Sequence, residues 1–113
     1  MSPASLAYIG DAVYELHVRT YYLFPPKRMA EYHQLVVAQV RAENQAQCLQ
    51  SLKPYLTEHE QEIVRRGRNA AGKRRHLSPE VYQQATSFET LLGYLYLQDP
   101  QRLNQLLEHL NRC

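Results

Sequence analysis

Tryptophan is absent, and cysteine occurs only twice, as Cys48 and Cys113. Two cysteines so far apart form neither a disulfide framework nor a zinc-ligand pattern, and a reducing cytoplasm is the expected compartment. Glycine is scarce, with four among 113 residues. No segment sustains the period-two alternation of β-branched residues that marks a half-buried strand. No apolar run reaches the roughly 18–20 residues needed to span a bilayer, so no membrane association is expected. Met1-Ser2-Pro3-Ala4 has neither a positive start nor a long apolar stretch and does not read as a secretory signal.

What is present suits a packed domain. Apolar residues make up 44% of the chain, too many for a disordered tail. The length predicts a single domain over residues 1–113. Charge is nearly balanced, with 13 bases, 11 acids and a net of +2. The balance hides a split. Six of the 13 bases lie between residues 65 and 75, with no acid among them, which leaves seven bases against 11 acids elsewhere. A uniformly basic coat protein for nucleic acid is excluded.

The pattern predicts an all-α fold of five to seven helices. Ser2-Pro3 reads as an N-cap and first helical position. Leu6, Ile9, Val13 and Leu16 then keep helical spacing to about Phe24, before Pro25-Pro26 stops the run. A second helical region extends from about Lys27 to Leu52. Met29, Tyr32, Leu35 and Val36 share one face of its first part, and a phase shift near Val36-Val37-Ala38 divides it into two helices. Thr57-Glu58-His59-Glu60 is a capping box for a helix to about Arg68. Residues 69–77 read as a loop containing Gly72. Ser78-Pro79 opens another helix, and Asp99-Pro100 ends it and caps the last. So short a chain buries a modest core, which makes dimerisation through an apolar helix face plausible.

Two glycines interrupt strong helical patterns, Gly10 and Gly93. Each costs about 1 kcal/mol relative to alanine, so close approach of another backbone is the natural reason to keep it. A carboxylate accompanies each: Asp11 directly after Gly10, and Glu89 one turn before Gly93. Helices crossing at the glycines would bring Asp11 and Glu89 together. Two carboxylates with waters and phosphate oxygens suit Mg²⁺, which keeps much of its hydration shell. The alternative is that each acid simply lies on a solvated face.

The words around these residues are specific. Tyr8-Ile9-Gly10-Asp11-Ala12-Val13-Tyr14-Glu15-Leu16 resembles the signature helix of the ribonuclease III family. Phe88-Glu89-Thr90-Leu91-Leu92-Gly93-Tyr94-Leu95-Tyr96-Leu97 resembles its second acidic helix. With Arg65-Arg66-Gly67-Arg68-Asn69-Ala70, and no double-stranded-RNA-binding domain after them, they resemble the family's Mini-ribonuclease III branch. The likeness covers essentially the whole chain and implies the ribonuclease III endonuclease domain fold.

The resemblance implies Mg²⁺-dependent hydrolysis of double-stranded RNA by a homodimer, with a staggered double cut leaving short 3′ overhangs. Precursor 23S ribosomal RNA is the substrate it implies. The family's catalytic, metal-binding acids fall on Asp11 and Glu89. Two further family acids are missing: Ala7 stands one turn before Asp11, and Thr86 three residues before Glu89. The metal site should therefore be sparser, with water or RNA phosphate in the gaps. Glu43 corresponds loosely to another family glutamate, and Glu15 lies one turn after Asp11. Each is either an outer support of the site or an ordinary helix acid. No nucleophilic Ser/His/Asp or Cys/His arrangement is recognisable.

The basic segment then has a candidate role. Duplex RNA is bound mainly through shape, phosphates and 2′-hydroxyls. Arg65, Arg66, Arg68, Lys73, Arg74 and Arg75 would meet phosphates, and Asn69 a sugar or base edge. The plainer reading is a solvated helix end and loop. Tyr21, Tyr22, Tyr94 and Tyr96 lie in apolar patterns and are expected in core or dimer packing. Two other classes stay open. One is a non-catalytic RNA-binding module of the same fold in a ribosomal or ribosome-assembly particle, which Ala7 and Thr86 favour. The other is a helix–helix interaction domain, which the clustered charge disfavours.

Overall fold

Local signals decide where the helices begin. The computed structural model describes residues 1–72 and 78–111. The Ser2 hydroxyl accepts from the Ser5 amide at 3.2 Å and opens α1, Pro3–Tyr21. α2 (Met29–Val40) and α3 (Ala42–Leu52) follow, then a single 3₁₀ turn at Lys53–Tyr55. α4 is Glu58–Ala70, and its capping box is complete: Thr57 accepts from the Glu60 amide while the Glu60 carboxylate accepts from the Thr57 amide. Ser78 caps α5, Pro79–Gln98, through the Val81 amide. Asp99 accepts from the Arg102 amide at 3.2 Å at the start of α6, Pro100–Asn111. The described residues contain six α-helices and no strand.

Several boundaries differ from expectation. α1 stops at Tyr21 rather than Phe24. The Lys27 ammonium, which donates to the Tyr22 and Pro25 carbonyls, secures the turn that follows. The break in the second helical region falls at Arg41, which is extended, rather than at residues 36–38. Two side-chain amides clamp that joint: Asn44 donates to the Gln39 carbonyl at 2.7 Å and Gln45 to the Val40 carbonyl at 3.0 Å. α4 runs on to Ala70 before any loop begins.

α5 is the axis of the fold. Its sequence is apolar on several faces, as suits a helix surrounded by others. Phe88, Leu91 and Leu92 are fully buried, and α5 packs on α1, α3, α4 and α6. Phe88 meets Tyr14 of α1 edge to face at 5.0 Å, and Leu49, Leu52 and Leu106 close the core from α3 and α6. Burial pushes the Tyr14 phenol above its ordinary pKa, reinforced by its hydrogen bond with Cys48. One buried ion pair ties distant segments. Glu60 (4% exposed) receives Arg102 Nε at 2.8 Å and Nη2 at 2.9 Å, and Nη2 also reaches the Tyr55 carbonyl.

Two residues of the apolar helical patterns are at the surface: Leu16 is 67% exposed and Met29 is 73% exposed. Helical spacing shows that a face is apolar but not what covers it. Of the four tyrosines expected in packing, Tyr22 and Tyr94 are half-buried, while Tyr21 and Tyr96 are more than half exposed.

Candidate active site

α1 and α5 cross at their glycines. A β-carbon on Gly10 would overlap the Glu89 carbonyl oxygen and stand 2.9 Å from the Gly93 amide nitrogen. One on Gly93 would overlap the Leu6 carbonyl oxygen. Only two residues without side chains allow backbones this near, and the crossing puts Asp11 and Glu89 on the same side of the helix pair.

Both acids line one open cleft of roughly 460 Å³, Asp11 exposed and Glu89 half-buried. Ala7 and Thr86 line the same cleft. The four positions at which the resemblance leads one to expect acids thus share one cleft, and two of them offer no carboxylate here. The α2–α3 joint forms another part of the cleft through Val40, Ala42 and Gln45. Tyr8 and Tyr82 flank the acids, and Ala70–Gly72 at the end of α4 complete the rim.

The donor chemistry fits Mg²⁺. Asp11 and Glu89 offer hard carboxylate oxygens, no histidine or cysteine among the described residues lines the cleft, and the space admits an ion with its waters. Among the described residues, no cluster of three or more His, Cys, Asp or Glu forms a closed cage. Two carboxylates are as many as Mg²⁺ ordinarily takes from a protein when waters and phosphate supply the rest.

The other candidates are more scattered. Glu15 bonds Arg19 at 3.4 Å one turn along α1, and Glu43 bonds Arg41 at 3.1 Å. Neither lines the cleft. The helix period brings Glu62 beneath Arg65 and Arg66, at 2.8 Å from Arg65 Nε and 3.4 Å from Arg66 Nε. Those bonds, Arg65's foremost, hold the Glu62 carboxyl down at about 2 and raise the Arg65 guanidinium. Part of the basic charge is thus already matched within α4. Arg66 also lines a separate shallow groove beside Met1 and Leu97. Arg68 and Asn69 are exposed on the last turn of α4, next to the Ala70–Gly72 rim. Lys73, Arg74 and Arg75 lie outside the described residues.

Sequence reasoning missed Gln45 and Tyr82 as cleft residues. For Gln45 a signal existed: it sits four residues before Leu49 and seven before Leu52, a polar side chain on an apolar stripe. It also missed the packing role of Gly67, whose added β-carbon would lie 2.6 Å from Thr90 Oγ1.

Residues 4–100 match the Ribonuclease III domain family. The chain is 61% identical to a protein of Synechocystis sp. named Mini-ribonuclease 3, over 95% of this chain and 76% of that one. It is 37% identical to a protein of the same name from Clostridium tetani, over 96% of this chain and 75% of the other. A crystal structure of a Fusobacterium nucleatum protein superposes with a TM-score of 0.89 at 27% identity, covering 98% of this chain and 92% of its own.

Proposed function

The chain belongs to the ribonuclease III family, and from that premise we propose that it hydrolyses double-stranded RNA in the Asp11–Glu89 cleft with Mg²⁺ as cofactor. It is an endoribonuclease acting on duplex RNA. The observation that carries the assignment of the site is the glycine crossing, which turns Asp11 and Glu89 into one cleft. When bound there, Mg²⁺ supplies Lewis-acid polarisation of the phosphoryl group and a lowered pKa for an attacking water. Asp11 and Glu89 would hold the ion directly or through its waters. Ala7 and Thr86 offer it no carboxylate, so water and the RNA phosphate would have to supply the rest. Arg68 and Asn69 on the α4 rim steer the backbone toward the acids. Arg65, Arg66, Lys73, Arg74 and Arg75 add phosphate contacts. Glu15 and Glu43 act on their arginine neighbours rather than on the ion.

The working species is a homodimer. Tyr8 is 81% exposed and Leu16 is 67% exposed, and with Ala12 they form a stripe along α1 that nothing in the described protomer covers. The stripe starts at the cleft, so a second copy seated on it sets two clefts near one duplex, one per strand. Precursor 23S ribosomal RNA is the substrate and the cytoplasm the compartment. No described helix is long and apolar enough to cross a membrane.

Ala7 and Thr86 also favour a second reading, a duplex-binding module that does not cut. Incubating long duplex RNA with Mg²⁺ and either the native chain or Asp11→Asn separates the two. Cleavage by the native chain, reduced at least about a hundredfold in the variant, is expected if Asp11 supports transition-state charge through the ion. Equal cleavage by both refutes the metal role. Binding without cleavage by the native chain selects the second reading.

A further inference from the structure

Gln45 is 3% exposed, yet it lines the cleft that contains Asp11 and Glu89. Its Nε2 donates to the Val40 carbonyl at 3.0 Å. That bond fixes the orientation of the carboxamide, because the opposite flip would set two oxygens against each other. Among the described residues, Oε1 has no donor, and no fully buried side-chain oxygen or nitrogen lacks a partner. Oε1 therefore reaches solvent, and the opening available to so buried a residue is the cleft.

A cap for the end of α2 would need only the N–H, and Asn44 already supplies one to the Gln39 carbonyl. What Gln45 adds is an acceptor, rigidly held and turned to the substrate side. A phosphate has no proton to give it. The amino groups of adenine and cytosine lie in the deep, narrow major groove, which side chains cannot read. In the minor groove only guanine offers an amino donor, at some base pairs. A ribose 2′-hydroxyl does donate, stands beside the backbone in the minor groove of an A-form helix, and is the group that distinguishes RNA from DNA. We propose that Gln45 Oε1 accepts a hydrogen bond from a ribose 2′-hydroxyl next to the scissile phosphate, making Gln45 a specificity-determining residue for RNA over DNA. The proposal rests on the assignment of the cleft to RNA cleavage.

The test uses an RNA duplex cut at one place by the full chain, with single 2′-deoxy nucleotides walked through the positions flanking the cut. At one position, loss of the hydroxyl is expected to lower kcat/KM about three- to tenfold, the range of one hydrogen bond. If no position lowers it more than twofold, the proposal is overturned without recourse to any variant. In Gln45→Met the all-RNA duplex should be cut more slowly by a similar factor, with no further loss at the sensitive position. An unchanged 2′-deoxy penalty in Gln45→Met overturns the proposal and leaves Gln45 as a clamp of the α2–α3 joint. So does a raised Mg²⁺ requirement with that penalty intact, which would assign Oε1 to a water of the ion. Gln45→Asn, one methylene shorter, gives the same comparison should the methionine variant fold poorly. Asp11→Asn separates the two failures. If it cleaves as well as the native chain, the cleft assignment fails; if it is inactive while the penalty is unaltered by Gln45→Met, only the role of Gln45 fails.

Discussion

Gly10→Ala is the sharpest perturbation of the helix crossing. In an isolated helix it would help, by about 1 kcal/mol, because alanine is the better helix former. In this fold the new β-carbon would stand 2.6 Å from the Glu89 carbonyl carbon and 2.9 Å from the Gly93 nitrogen. The Glu89 carbonyl oxygen is nearer still and is overlapped outright. Non-bonded carbon and oxygen keep about 3.3 Å apart, so α1 and α5 must separate by roughly 1.5 Å. The obstructing atoms are backbone, and no rotamer change relieves them. Overpacking of this kind costs about 1–3 kcal/mol and more where relaxation is blocked. A net loss of about 2 kcal/mol is expected after the gain in helix propensity, which lowers Tm by about 8 °C for a domain of this size. Thermal and urea unfolding followed by circular dichroism measure it. Gly72→Ala is the control, since among the described residues a β-carbon there has no neighbour within 4 Å. The same separation moves Asp11 away from Glu89, so cleavage of duplex RNA at temperatures where the variant is folded should also fall. A Gly10→Ala protein as stable as the native chain, or more so, would refute the close crossing and with it the geometric basis of the site.

Three further outcomes test other parts of the molecule. Arg102→Met strands the buried Glu60 carboxylate and should cost about 3 kcal/mol, as breaking a buried pair does. The Glu60 pKa is lowered chiefly by its bonds from Arg102, so the pair's contribution is complete above the unfolded carboxylate value and fades as pH falls through the folded one. Urea midpoints from pH 7 down to pH 3 should therefore fall less steeply in the variant, and an identical acid limb would contradict the assignment. Leu16→Lys removes a side chain already 67% exposed; it should preserve helicity while shifting sedimentation toward the monomer, and an unaltered dimer would exclude the α1 stripe as the interface. Replacing Lys73, Arg74 and Arg75 together by alanine should reduce the slope of log K against log salt for duplex binding by roughly 2–3, about one for each phosphate no longer neutralised. An unchanged slope removes that segment from the RNA interface.

Much of the fold was legible because its signals are local. Ser2, Thr57, Ser78 and Asp99 each cap the helix that follows within three residues, and proline spacing punctuates the rest. The break at Arg41 was misplaced by several residues because the two amides that clamp it, Asn44 and Gln45, act from within the next helix. The apolar faces that include Leu16 and Met29 are legible in the sequence, but periodicity cannot tell an intramolecular partner from a second copy. Glu60 was recognised as a cap, but not as the partner of Arg102, which lies 42 residues away. The acid-free basic run looked fully available until the helix turned Glu62 under two of its arginines.

The amino-acid sequence by itself determined an all-helical domain, the positions of its caps, and two glycine–acid pairs whose surrounding words resemble one family. These follow from dihedral preference, side-chain period and residue identity, which act over a few residues. Only the tertiary structure decided that Gly10 and Gly93 face each other, and that Asp11, Glu89, Ala7 and Thr86 share one cleft. It alone turned a buried glutamine toward the same space. Those relations depend on backbone approach between segments some 80 residues apart, and no local propensity encodes that distance.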